Sequence, residues 1–170
     1  LDAGTIKVGT NAALGTGALA MATGTTLESG AANLTVANAV AISGTGTVDT
    51  NANTLTLGGV VSGGTLAKTD TGTLSLTGAN TYTGGTTLSG GTIQVGTNAA
   101  LGTGALAMAA GTTLKSGAAD LTVANTVAIT GAGTRTVDTN GNALTLGGVV
   151  SGDGALTKTG GGALTLTGAN

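Results

Sequence analysis

The run Val8-Gly9-Thr10-Asn11-Ala12-Ala13-Leu14-Gly15-Thr16-Gly17-Ala18-Leu19-Ala20-Met21 returns without a change as Val95 to Met108, 87 residues later. Working outward, Leu1-Asp2-Ala3-Gly4-Thr5-Ile6-Lys7-Val8 is answered by Leu88-Ser89-Gly90-Gly91-Thr92-Ile93-Gln94-Val95. The second copy gains two residues around Arg135-Thr136 and one around Asp153-Gly154, then keeps step to Asn80 and Asn170. Residues 1–80 are therefore one copy and 88–170 another, joined by the seven residues 81–87 within one continuous solenoid. Self-similarity of this kind marks stacked units, none of which buries its apolar face alone.

Inside each copy there is a finer beat. Apolar pairs two residues apart recur at Ile6/Val8, Leu34/Val36, Leu55/Leu57, Leu74/Leu76 and Ile93/Val95, with steps of 28, 21, 19 and 19. Leu121/Val123, Leu144/Leu146 and Leu164/Leu166 continue the series. Each pair sits in alternating text such as Thr54-Leu55-Thr56-Leu57, the period of a strand with one buried face. Leu19/Met21, Leu27, Val40/Ile42, Val48, Val60 and Leu66 add further inward candidates, about three short strands per step, with Gly, Asn, Asp and Ser turns between. Frequent Gly, β-branched Thr and the lack of an i, i+3, i+4 pattern argue against helix. The fold expected is all-β: a parallel β-helix, or β-solenoid, of about eight coils of roughly 19–28 residues. At roughly 4.8 Å per rung it is a rod about 40 Å long. The longest step is expected to hold a loop or extra strand at Gly9–Ala18, and the insertions at Arg135-Thr136 and Asp153-Gly154 to mark corners.

Composition fits this reading and excludes others. Of 170 residues 34 are Gly and 37 Thr; only 7% are charged, the net charge is −2, and there is no Cys, His, Pro, Trp or Phe. Without His or Cys no Ser-His-Asp or Cys-His triad, zinc finger or disulfide can be built. Five scattered cations and one aromatic ring make no nucleic-acid surface. No stretch is apolar enough for a membrane-spanning helix, and no signal peptide stands in these residues. Disorder is refuted by 40% hydrophobic residues, low charge and a mean hydropathy of +0.40.

The text from Gly64 to Ile93, Gly-Thr-Leu-Ala-Lys-Thr-Asp-Thr-Gly-Thr-Leu-Ser-Leu-Thr-Gly-Ala-Asn-Thr-Tyr-Thr-Gly-Gly-Thr-Thr-Leu-Ser-Gly-Gly-Thr-Ile, resembles the passenger-associated transport repeat of bacterial autotransporters, and Gly154–Asn170 matches its first part. The resemblance implies a right-handed β-helix exported across the outer membrane to the cell surface, with a repeat that assists secretion and folding. Contact with the membrane would run only through a translocator barrel outside these residues. The absence of Cys suits passage through a narrow pore.

Several polar residues compete for a functional role. Asp49 and Asp138, followed by Asn51/Asn53 and Asn140/Asn142, have the oxygen ligands calcium prefers, but turn chemistry at a corner explains them better. Stacking is expected to bring Asp49 within a coil of Asp70, as in β-helix glycosidases and lyases, yet the accompanying cations and rings are missing. No catalytic, cofactor-binding or metal-binding residue is assigned. Strict alternation from Leu66 aims Lys68 inward, as its counterpart Lys158; since a buried ammonium is costly, the strand is expected to end by the Lys, whose side chain reaches solvent. Tyr82 is expected to cap a corner, and the sequon Asn33-Leu34-Thr35 loses its Asn in the second copy, at Asp120. The function expected is a structural rod or stalk, not an enzyme, whose partner is itself, through end-to-end or lateral assembly or a covalent array of repeats. The alternatives are an adhesive face or, on the strength of Thr54/Thr56, Thr71/Thr73 and Thr81/Thr83, an ice-binding one.

Overall fold

Alternation of Thr or Ser with Leu, Val or Ile sends every second side chain inward, and Gly-, Asn- and Asp-rich turns end each run after a few residues. The computed structural model describes all of residues 1–170: nineteen strands wound into eight coils, with no helix. Coil 1 is β1 (Thr5–Val8), the turn-rich stretch 9–18 and β2 (Leu19–Met21). Coil 2 is β3 (Thr25–Ser29), β4 (Leu34–Val36) and the first half of β5 (Val40–Asp49). The second half of β5, β6 (Thr54–Leu57) and the first half of β7 (Val61–Thr69) form coil 3. Coil 4 is the rest of β7, β8 (Thr73–Leu76) and the irregular stretch 77–85. In coil 5, β9 (Thr86–Leu88) and β10 (Thr92–Val95) are followed by the turn stretch 97–104. Coil 6 is β11 (Leu106–Met108), β12 (Thr113–Ser116) and β13 (Leu121–Val123). Coil 7 is β14 (Val127–Ala128), β15 (Thr134–Asp138) and β16 (Leu144–Leu146). Coil 8 is β17 (Val150–Ser151), β18 (Ala155–Thr159) and β19 (Leu164–Leu166).

Every strand pair is parallel, so the backbone bonds run between coils and the three strands of each coil contribute to three walls. The first wall is β1-β3-β5-β7-β9-β11-β14-β17 and the second β4-β6-β8-β10-β12-β15-β18. β2 and the leading halves of β5 and β7 begin the third wall, which β13-β16-β19 complete. Between them the third wall is held without regular strands: Thr81 N–H donates to Val61 O at 2.8 Å and Thr103 N–H to Tyr82 O at 3.0 Å. β5 and β7 each turn a corner to serve two walls, and their pairing slips between Ile42 and Thr45. Thr81–Thr87 runs from the third wall into β9 without a break in the stack.

The inward ladder expected along Leu34, Leu55, Leu74 and Ile93 is present, with Val36, Leu57, Leu76 and Val95 beside it. It continues into Leu114 and Val137. Leu121, Leu144 and Leu164 also stack, but on the third wall. The inner faces merge into a single apolar core of 31 buried residues.

The foot of the ladder differs from expectation. Ile6 lies beneath Leu27, not Leu34, and the place below β4 is taken by Gly9–Ala18, whose Asn11 Oδ1 accepts the Thr35 N–H at 2.8 Å. That stretch is a loop of turns, as expected, and it supplies the second wall below β4. Coils advance by 19 residues (Leu55 to Leu74) to 23 (Leu114 to Val137), and the 28-residue step is a coil and a third.

This has a geometric consequence for the repeat. β1, the start of copy 1, is on the first wall; its counterpart β10 is on the second. β4 is on the second wall and its counterpart β13 on the third. Eighty-seven residues at about twenty per coil are four coils and a third, so identical sequence reappears rotated by one wall.

Leu74 is wholly buried while its neighbour Thr73 faces outward. Leu74→Asp should therefore cost at least about 4 kcal/mol or abolish folding, and Thr73→Asp less than about 1 kcal/mol, read by urea unfolding followed by circular dichroism.

Candidate functional site

Where a coil bends from one wall to the next, its carbonyl groups lose their rung partners, and side chains must satisfy them. Asp49 Oδ1 accepts the Asn51 N–H at 2.9 Å, and Asp138 Oδ1 the Asn140 N–H at 2.8 Å: both are Asx turns, as expected. Asp49 stands level with Thr69, so Asp70 lies one residue past the rung and the two acids do not face each other as a pair. No three acidic side chains converge anywhere. The larger of two surface grooves, about 360 Å³, is floored by Ala20, Met21, Ala41 and Ile42, with Asp2 its one ionisable side chain.

The most unusual corner belongs to Lys68. Contrary to expectation, β7 runs through it to Thr69 and its side chain points inward, with no exposure to solvent. It stands in the first-wall column Leu27, Val48, Lys68, Leu88. Alternation is obeyed, and the cost of burial is met locally: the ammonium donates to Thr69 O at 2.5 Å, Asp70 O at 2.8 Å and Gly90 O at 3.3 Å. Asp70 takes φ +63°, a left-handed conformation that Asp tolerates, and so turns its carbonyl to the bore. Burial lowers the Lys68 pKa to about 8, against the opposing pull of Asp49 and Asp70. Lys158, its counterpart, occupies the equivalent inward position level with Val137, but in the last coil, where it is exposed.

Tyr82 also differs from expectation. It is fully buried within the core rather than capping a corner, and its hydroxyl lies 2.7 Å from Thr86 Oγ1. Burial raises its pKa to about 12, the Thr86 hydrogen bond working the other way. Gly102, at φ +57°, passes directly over it, and a Cβ there would fall 3.1 Å from Tyr82 Cγ and 2.2 Å from its carbonyl oxygen.

Two insertions of the second copy meet. The corner near residues 129–133 packs on that at 152–154, where Asp153 Oδ1 accepts the Gly131 N–H at 2.7 Å. Asp153 and its neighbourhood form the expected corner, but Arg135 lies inside β15 and is buried. Its guanidinium fills the widened corner, donating to Met108 O at 3.0 Å, Gly131 O and Gly133 O at 2.8 Å, and Thr130 O. The Gly131 hydrogen bond, and Arg135 more weakly, hold the Asp153 carboxyl below its usual range. Asn80, which the sequence reading passed over, bridges three coils: its Oδ1 accepts the Val61 N–H at 2.8 Å and its Nδ2 donates to Ala100 O at 2.6 Å. Its recurrence as Asn170, whose Oδ1 accepts the Val150 N–H at 2.6 Å, was the available signal.

Two titrations give opposite slopes in alkali. Lys68 has a folded pKa below its unfolded value of 10.5, so the unfolded chain holds more protons and stability rises from about pH 8 upward. Tyr82 has a folded pKa above its unfolded value of 10.0, so its contribution is whole below pH 10 and falls away towards 12. Urea midpoints measured from pH 7 to 12 should climb to about pH 10 and then turn down; Lys68→Met should remove the climb, and Tyr82→Phe should weaken the fall.

A family model described as the passenger-associated-transport-repeat matches residues 66–95 and 156–170. No curated protein matches the chain, and no solved structure does. The first match begins at Leu66, two residues before Lys68, and contains Asn80, Tyr82 and Gly90; the second contains Lys158 and Asn170. Both matched stretches are seated in the parallel β-solenoid, and over them the chain is similar to the passenger-associated-transport-repeat.

Proposed function

We propose that the chain is a length of non-catalytic rod or stalk in a secreted bacterial surface protein, its transport repeats aiding secretion and folding. The observation that carries this reading is the transport repeat set in an unbranched parallel solenoid. The passenger lies outside the outer membrane, and its partner is itself, through further coils stacked end to end. Rung-to-rung bonding makes a stack stiff, and repetition extends it without a new core design.

Rotation of the repeat bears on the adhesive and ice-binding readings. One observation favours a binding face: Thr54, Thr73, Thr92, Thr113, Thr136 and Thr157 line up on six successive rungs of the second wall. The adjoining outward column is Thr35, Thr56, Ser75, Gln94, Lys115, Asp138 and Thr159, so a second row of threonines does not form beside the first. Each copy also turns its features onto a different wall, which spreads any repeat-borne motif around the rod. Both facts support a scaffold over a flat recognition face.

Negative-stain imaging and sedimentation of the 170-residue chain at high concentration should reveal rods longer than about 40 Å. A dispersed particle of that length at every concentration would remove self-assembly from the proposal. In the same preparation, inhibition of ice recrystallisation should be absent; its presence would revive the threonine column as a binding face.

A further inference from the structure

Two equivalent corners, one in each copy, carry the same tight turn with one residue changed. Thr50-Asn51-Ala52-Asn53 closes through Asn53 N–H to Thr50 O at 2.7 Å, and Thr139-Asn140-Gly141-Asn142 through Asn142 N–H to Thr139 O at 2.8 Å. Both central residues are left-handed in each, at φ +51° and +61° in the first turn and +52° and +81° in the second. This is the type I′ arrangement, for which Asn-Gly is a favoured pair. Asn140-Gly141 is the one Asn-Gly in the chain. Both residues are exposed, a Cβ at Gly141 would meet nothing within 4 Å, and the Gly141 N–H donates to no carbonyl or side chain.

We propose that Asn140 is a self-modifying site, which converts to aspartate or isoaspartate without an enzyme. Hydroxide takes the proton of the Gly141 nitrogen, and that nitrogen attacks Cγ of the Asn140 side chain. A new N–C bond closes a cyclic imide while the bond from Cγ to the amide nitrogen breaks; the amide nitrogen takes a proton from water and leaves as ammonia. Water then adds to one of the two imide carbonyls and opens the ring. Opening at the side-chain carbonyl gives aspartate, and opening at the main-chain carbonyl gives isoaspartate. Two related dipeptides are held back. In Asn51-Ala52 the Ala52 methyl crowds the attacking nitrogen, and a left-handed Ala has little freedom to swing it. In Asp153-Gly154 the Gly154 N–H is taken by Ile129 O at 2.8 Å, and the ionised Asp153 carboxylate, which accepts the Gly131 N–H at 2.7 Å, has no leaving group to lose.

Conversion changes what the corner touches. Asn140 Nδ2 donates to Ser116 O of coil 6 at 3.2 Å. A carboxylate there turns an oxygen towards that carbonyl and adds a negative charge beside Asp138, whose Oδ1 accepts the Asn140 N–H and whose Oδ2 lies 3.8 Å from Lys115 Nζ. The product loosens the corner between coils 6 and 7 while the walls stay bonded. This goes beyond the rod reading and does not depend on it.

The test holds the folded 170-residue chain at 37 °C and pH 8 and samples it over weeks. Peptide mass spectrometry reads the exchange of amide for acid, and methylation by an isoaspartyl methyltransferase reads the isoaspartate. Asn140 should convert at least about tenfold faster than Asn51, and Asp153 should yield no isoaspartate. Gly141→Ala, which installs the turn that copy 1 already folds with, should abolish the difference. Ala52→Gly should bring Asn51 up to the rate of Asn140. Equal rates at Asn51 and Asn140 in the parent chain, or conversion of Asn140 in urea but not in the folded chain, would overturn the site. In the aged chain, hydrogen exchange should rise at residues 116–117 and 138–142 and stay unchanged in coils 1 to 4; no rise at that corner would overturn the loosening.

Discussion

A coil of about twenty residues cannot close on itself. Its strands of two to ten residues have no partner within the coil, so each N–H and C=O along the walls must bond to the coil above or below. This constraint governs the rest. It makes every pairing parallel, fixes the register so that Leu meets Leu, and keeps the bore narrow enough for Leu, Val and Ile to fill it without a Phe or Trp. It also concentrates difficulty at the corners, where the chain leaves one ladder before joining the next. Lys68, Arg135, Asn38, Asn80 and Asn125 are buried at such places, with their donors on backbone carbonyls or, for Asn80, also an acceptor on a backbone N–H.

The walls were legible in the sequence because they obey period two without interruption. Thr54-Leu55-Thr56-Leu57 and Leu74-Ser75-Leu76-Thr77 announce both their strand character and their inward face, and the spacing between them is the coil length. The phase of the first coil was less accessible. Gly9–Ala18 takes the place of a strand with turns, and an Asn side chain serves where a backbone carbonyl would. Nothing in period-two text signals a wall built that way, so the 28 residues from Ile6 to Leu34 read as one long coil.

The corners were legible only in part. Asp49 and Asp138 announced Asx turns through local chemistry that needs no neighbour. Lys68 and Arg135 did not, because their partners arrive from other coils and from backbone atoms that a sequence does not display. Alternation placed Lys68 inward, and the physical objection to a buried ammonium was sound as far as it went. What it omitted is that a solenoid corner is rich in unpaired carbonyls, which welcome a cation. Tyr82 follows the same logic on the third wall, where its hydroxyl finds Thr86 and Gly102 leaves space above the ring.

The rotation of the repeat by one wall is the claim on which the architecture and the scaffold reading both depend. It places Thr92, whose copy-1 counterpart Thr5 is on the first wall, between Thr73 and Thr113 on the second. The chain has no cysteine, so pairs introduced one at a time report without background. Disulfide trapping under mild oxidation should link Thr73→Cys with Thr92→Cys, and Thr92→Cys with Thr113→Cys, within minutes and without loss of the folded signal. Failure of either pair to close, with Thr5→Cys linking readily to Asn33→Cys instead of Thr26→Cys, would contradict the register and with it the coil of about twenty residues.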